Sequence, residues 1–333
     1  MTGEREGGCE PFTVDGKTAI VTGAGSGIGL AFTTLLLSRN CNVVLADLTL
    51  RPEACALVDK YTPTTTNHPR AKAIFIEADV TSWPSLRNLF TKTLTHFPES
   101  ESGFDILCPC AGVFEPPWSS FWYPPDSSPA SRDTISESRY ATLDINLTHP
   151  IRLTQMALGV WMNSKSPTPT KQTPRRVIIV SSVAAQLPLF SNPLYGASKA
   201  AVSSFVRSMA PLDDAVGVRV NAVAPGLIKT PLWTDHPEKM AYVDEEGDVW
   251  ATPDEVASVM MKCVEEDGPD VKGGSVIEVG HDHERVVGIF GDPGPDLDPK
   301  SGKGLSVGKG KVGWEDAMKY VPVPVPVPVS VSS

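Results

Sequence analysis

The chain has 333 residues and a formal net charge of −10, with a pI near 5.1. Such an acidic balance repels nucleic-acid phosphates and anionic lipid surfaces, so no nucleic acid and no membrane is expected as a partner. Cys9, Cys41, Cys55, Cys108, Cys110 and Cys263 show no disulfide framework and no Cys-x-x-Cys spacing; we read reduced thiols, no metal site and a cytoplasmic protein.

Residues 1–11 are polar and glycine-rich, without the apolar centre of a signal peptide, and no apolar run approaches bilayer length. Strand and helix patterns alternate without a break until about residue 285. The expected organisation is a disordered N-terminus (1–11), one α/β domain (12–285) and a low-complexity tail (286–333). The tail ends in a Val-Pro alternation from Val321 to Val329, which suits extended polyproline-like chain.

In chain order, an apolar strand, Thr18 to Val21, runs into Thr22-Gly23-Ala24-Gly25-Ser26-Gly27-Ile28-Gly29, and a helix follows from Leu30 to Leu37. Strand, glycine turn and helix is the context of a dinucleotide site. Gly23 suits the tight turn, Gly27 the approach of a pyrophosphate and Gly29 close helix–strand packing. The helix N-terminus adds N–H donors for the phosphates. A second strand, Asn42 to Ala46, ends at Asp47, where an acid suits an adenosine ribose and repels a 2′-phosphate. Ser26 is neutral and no basic residue follows Asp47 directly, so NAD is favoured over NADP.

Further strands are expected at Ala73–Glu77, Asp105–Cys108, Arg176–Val180, Val218–Ala222 and Ser275–Val279. Helices are expected at Trp83–Phe97 with Ser82 as N-cap, Ile135–Asn163, Pro193–Met209 and Pro253–Glu265. The fold expected is a Rossmann-type doubly wound parallel sheet of about seven strands with helices on both faces. Tyr195 and Lys199 stand four residues apart in Tyr-Gly-Ala-Ser-Lys, with Ser182 thirteen residues upstream of the tyrosine. On a helix, that spacing lets the phenol and the ammonium share one pocket. A cation favours the phenolate, so a lowered phenol pKa and proton transfer near neutrality are expected.

Together these segments resemble the short-chain dehydrogenase/reductase family over roughly residues 12 to 280. The matching pieces are Thr22 to Gly29, Asp79-Val80, Cys110-Ala111-Gly112, Asn146, Ser181-Ser182, Tyr195 to Lys199 and Asn221 to Gly226. The stretch from Tyr195 to Pro231 is similar to the 15-hydroxyprostaglandin dehydrogenase-like branch. The resemblance implies Tyr195 as general acid/base, and Lys199 as binder of the nicotinamide ribose. It implies Ser182 as partner of the substrate oxygen, and Asn146 as holder of a relay water. It places Asp79 and Val80 against the adenine, and Pro225, Gly226, Ile228 and Thr230 near the carboxamide. The implied activity is interconversion of a secondary alcohol and a ketone on a mid-sized, largely apolar substrate, in a homodimer or homotetramer. A non-redox cyclase or isomerase and a non-catalytic NAD-binding protein are the alternatives.

One departure stands out. The family's usual Asn-Asn-Ala-Gly is here Pro109-Cys110-Ala111-Gly112. A locally repacked sheet with intact cofactor binding is expected. Glu115–Pro129, with Trp118, Phe121, Trp122 and Tyr123, is a substrate roof, an oligomer contact or a packed loop. Ile228–Trp250 holds the substrate-loop position, with Trp233 and Tyr242 as apolar contacts. His281 and His283, flanking Asp282, read as solvated surface.

Overall fold

The computed structural model describes residues 11–63, 70–98, 103–128, 130–163, 168–236, 240, 243–244 and 248–289. Strand β1 (Thr18–Thr22) is buried along its whole length, as a strand covered on both faces must be. It pairs in parallel with β2 (Asn42–Asp47) and β4 (Ile106–Pro109). Beyond β2 lies β3 (Ala73–Glu77), and beyond β4 lie β5 (Arg175–Val180), β6 (Val218–Pro225) and β7 (Val276–Gly280), all parallel to their neighbours. An eighth strand, β8 (His283–Val286), closes the edge antiparallel to β7. The order is β3-β2-β1-β4-β5-β6-β7-β8. The doubly wound arrangement and its seven parallel strands match the expectation, with the antiparallel β8 added at the edge. All four β8 residues are exposed, and the hairpin with β7 turns at Asp282, which takes φ 48°. The fold therefore passes residue 285, since Val287 is buried and its N–H donates to the Val276 carbonyl at 2.8 Å.

Helices α1 (Gly27–Ser38) and α9 (Pro253–Glu265) cover one face, burying Phe32, Leu36, Val256 and Met260. On the other face lie α3 (Trp83–His96), α5 (His149–Asn163) and α6 (Pro193–Ser208), with Leu86, Phe90, Trp161 and Val202 in the core. Ser82 caps α3, accepting the Ser85 N–H at 3.3 Å, as its sequence position suggested. The remaining α-helices among the described residues are α2 (Pro52–Tyr61), α4 (Ala141–Leu143), α7 (Pro211–Val216) and α8 (Pro231–Thr234).

The long helix expected from Ile135 begins only at Ala141. Ser138 has φ 54°, a left-handed conformation that a right-handed helix cannot pass through. Asp133 supplies the start instead, its Oδ1 accepting the Ala141 N–H at 2.8 Å. After α4 the helix widens into a π segment, Asp144–Thr148, before α5 resumes the α pattern. Tyr242, residues 1–10 and the tail from residue 290 lie outside the described residues.

Trp161 is the largest fully buried side chain on the α5 face. Its indole N–H donates to the Phe104 carbonyl at 2.9 Å, and its ring lies 5.1 Å from that of Phe104. Trp161→Ala is expected to lower stability by about 3–5 kcal/mol through the cavity and the orphaned carbonyl. Urea unfolding followed by circular dichroism checks this.

Candidate active site

Strands β1, β2, β4, β5 and β6 end on one edge, where Asp47, Val180 and Pro225 line a cavity of about 1040 Å³. Open α/β sheets bind ligands at this edge. The cavity is roomy enough for a dinucleotide with a substrate beside it.

Its floor is the glycine turn. Gly23 and Gly27 take φ of 66° and 54°, which L side chains rarely adopt. A Cβ on Gly23 would sit 2.7 Å from the Ala111 Cα, and one on Gly29 would sit 2.2 Å from the Gly23 carbonyl oxygen. Gly25 does not line the cavity; its N–H donates to Asp47 Oδ2 at 2.8 Å, which fixes the carboxylate at the rim. Asp47 Oδ1 accepts the Leu48 N–H at 2.8 Å. Ser26, Gly27, Ile28, Gly29, Asp79, Val80, Cys110, Ala111, Gly112, Pro225, Gly226, Ile228 and Thr230 all line the same cavity. These residues fit a nicotinamide dinucleotide: a bare backbone cradle, a helix N-terminus and an acid at the second strand's end. Gly29→Ala is expected to weaken NADH binding at least about tenfold, because the backbone cannot yield without strain. A fluorescence titration checks it, and unchanged affinity would remove the turn from the site.

Ser182, Tyr195 and Lys199 line the other end of the cavity. Ser182 follows β5 in extended backbone; its hydroxyl accepts the Ala184 N–H at 3.2 Å and donates to the Pro225 carbonyl at 3.3 Å. Lys199 is buried, donates from Nζ to the Val180 carbonyl at 2.8 Å and lies 5.6 Å from the Tyr195 ring centre. Burial lowers its pKa to about 8. The phenol, however, is not acidified. Desolvation raises the Tyr195 pKa, and the Ser182 hydroxyl only partly offsets this. The lysine shares the pocket, as expected, but its charge is directed at a carbonyl and does not outweigh burial.

Asn146 does not line the cavity. It sits in the π segment and bonds reciprocally with Val113: Oδ1 accepts the Val113 N–H at 2.9 Å, and Nδ2 donates to the Val113 carbonyl at 2.8 Å. A Cβ on Gly112 would fall 3.4 Å from Asn146 Oδ1 and 3.6 Å from Lys199 Nζ, so residue 112 lies within van der Waals reach of both groups. π segments recur at functional sites, and this one aims the asparagine.

Three residues with no motif of their own also matter. Phe114 meets the Tyr195 ring edge-on at 4.7 Å and the tilted Trp233 ring at 5.3 Å, giving the reacting end an apolar wall. Glu115 is buried, takes φ 38°, and accepts the Phe121 N–H at 2.9 Å through Oε1 and the Tyr195 N–H at 2.9 Å through Oε2. It thus caps the helix that carries the tyrosine. Residues 116–128 do not line the cavity. Phe121, Trp122 and Tyr123 are half-exposed and do not line the cavity; Trp122 instead bonds the Phe190 carbonyl at 3.0 Å. His149, the third, is buried against Thr22, and desolvation lowers its pKa to about 4. His281 and Asp282 are exposed, and His281 pairs with Glu255 of the α9 capping box.

The buried neutral imidazole sets a pH dependence. Its folded pKa, about 4, lies below the ordinary 6.5. Its contribution is complete above the unfolded pKa and is lost as pH falls through the folded one. From pH 6.5 down to about 4, wild-type protein is expected to lose about 3 kcal/mol more stability than His149→Gln. Paired urea titrations across that range check the difference.

Comparison with known proteins agrees with this geometry. Residues 17–241 match the family model described as short chain dehydrogenase. The rat protein 15-hydroxyprostaglandin dehydrogenase [NAD(+)] is 33% identical over 228 residues, covering 66% of this chain and 71% of its own. Hydroxynaphthalene reductase-like protein Arp2 of Metarhizium guizhouense is 31% identical over 227 residues, covering 67% and 72%. Among solved structures, a Brucella melitensis short-chain dehydrogenase/reductase (SDR:Glucose/ribitol dehydrogenase) superposes with a TM-score of 0.57 at 26% identity, over 81% of this chain and 97% of its own. The chain belongs to the short-chain dehydrogenase/reductase family, a class of NAD(P)-dependent oxidoreductases. Among the described residues, no helix is long and apolar enough to cross a membrane.

Proposed function

We propose that the protein is an NAD(H)-dependent oxidoreductase interconverting a secondary alcohol and a ketone on a mid-sized, largely apolar substrate. The observation that carries this reading is the convergence of Ser182, Tyr195 and Lys199 on the cavity that also holds the glycine turn and Asp47. A bound nicotinamide supplies the hydride chemistry. The chain's own residues do the rest. The Tyr195 hydroxyl gives a proton to the ketone oxygen in reduction, and its phenolate takes one from the alcohol in oxidation. Ser182 holds that oxygen, and Lys199 binds the ribose hydroxyls beside it. Asn146 keeps Val113 and Gly112 in register with the lysine.

Phe114, Leu187, Leu189, Leu232 and Trp233 give the cavity an apolar lining, which supports an apolar substrate. NAD is supported by Asp47, whose carboxylate is fixed at the rim by two backbone N–H groups, and by the NAD(+) in the rat relative's name. The free thiols of Cys41, Cys55, Cys108, Cys110 and Cys263 support a cytoplasmic protein, and the family resemblance supports a homodimer or homotetramer.

Tyr195→Phe is expected to abolish turnover on a panel of apolar secondary alcohols and ketones while NADH still binds. Turnover at the wild-type rate would reject the role given to the phenol. Asp47→Ser is expected to shift the NADH-to-NADPH affinity ratio toward NADPH by at least about tenfold, since a like charge facing the 2′-phosphate is removed. Parallel titrations with the two cofactors read this ratio.

A further inference from the structure

His149 lies outside the machinery described so far, yet its hydrogen bonds reach the nucleotide turn. In a π segment each carbonyl accepts from the N–H five residues on. For Ile145 that residue is Pro150, which has no N–H. His149 Nδ1 lies 3.0 Å from the Ile145 carbonyl and fills the gap. A carbonyl can only accept, so Nδ1 carries the proton. The ring is 1% exposed, and the charge acting on it is the like-signed Lys199 ammonium. It is therefore neutral, and Nε2 is bare. Thr22 Oγ1 lies 3.0 Å from Nε2, so the threonine hydroxyl must donate to it. That turns the oxygen's lone pairs outward, where they accept the Cys110 N–H at 3.1 Å and the Ala111 N–H at 3.4 Å.

These bonds fall where the sheet is weakest. Pairing between β4 and β5 ends at Leu107 and Val177, whereas β1 still faces β4 at Thr22 and Pro109. Past Leu107 the strand end is held from the β1 side, and Pro109 offers no N–H of its own. Two backbone walls meet there: the Gly23 turn and Ala111-Gly112, close enough that a Cβ on Gly23 would lie 2.7 Å from the Ala111 Cα.

We propose that His149 is a positioning residue for nucleotide binding: by accepting the Thr22 hydroxyl, it orients that oxygen to hold the Cys110-Ala111 backbone against the glycine turn. The inference rests on the reading of the cavity as a nicotinamide dinucleotide site.

The test is an NADH fluorescence titration of the full-length wild type, His149→Leu, His149→Gln, Thr22→Val and the Thr22→Val/His149→Leu double variant, with melting curves alongside. His149→Leu leaves the hydroxyl without an acceptor and is expected to raise the NADH Kd at least about tenfold. His149→Gln can accept through Oε1 and is expected to stay within about threefold of wild type. In the Thr22→Val background, adding His149→Leu is expected to change the Kd no further. A lower melting temperature with wild-type NADH affinity in folded His149→Leu means packing alone and overturns the inference. Failure of wild type itself to bind NADH overturns the cofactor reading, and this inference with it. If His149→Leu does not fold, the ¹⁵N spectrum of the wild-type imidazole decides. A protonated Nδ1 and bare Nε2 from about pH 6 to 8 upholds the inference, and a protonated Nε2 overturns it.

Discussion

The close approach of two backbones, the Gly23 turn and the Ala111-Gly112 loop, is the constraint on which the site depends. A side chain is excluded from the Gly23 wall by contact distance, so the two backbones meet there directly. Everything else at the site is arranged around that contact. The helix α1 begins at it, Asp47 is tied to it through the Gly25 N–H, and Asn146 and Lys199 crowd its far side at Gly112. A dinucleotide site of this kind is built from glycine positions because a methyl group at Gly23, Gly25 or Gly29 would collide with backbone, which cannot move aside as a side chain can.

Burial, more than charge pairing, sets the electrostatics at the reacting end. Lys199 sits near the Tyr195 ring, yet desolvation moves the lysine down to about 8 and the phenol up. Each shift favours the neutral form of its group. A neutral phenol is a proton donor, which suits ketone reduction directly. The lysine's hydrogen bond to the Val180 carbonyl fixes its position whatever its charge.

Much of this was legible in the sequence, for reasons that differ by residue. The glycine turn, Asp47 and the Tyr195–Lys199 pair follow local rules: a turn that needs positive φ, a strand end, a helical spacing of four. Buried parallel strands announced themselves as continuous apolar runs. What escaped depends on contacts between distant segments. Glu115 caps α6 from a residue 80 positions away, and nothing near it in sequence predicts that. His149 gains its role from Pro150 and from Thr22, 127 positions away. The start of the helix before Asn146 was misplaced because Ser138 takes a left-handed backbone conformation that apolar periodicity does not encode. The effect of the lysine on the phenol was misjudged because spacing gives proximity and says nothing of desolvation.

The departure at Pro109-Cys110 is accommodated in the geometry. The strand end keeps its register with β1, and the loop's amides find Thr22. The central claim is that the nucleotide cleft and the proton-transfer groups form one cavity. A crystal structure with NADH bound tests it most directly. The account predicts the pyrophosphate on the Gly23–Gly29 turn and the nicotinamide ring beside the Tyr195 hydroxyl. A nicotinamide ring directed away from Tyr195, or a nucleotide bound elsewhere on the molecule, would contradict it.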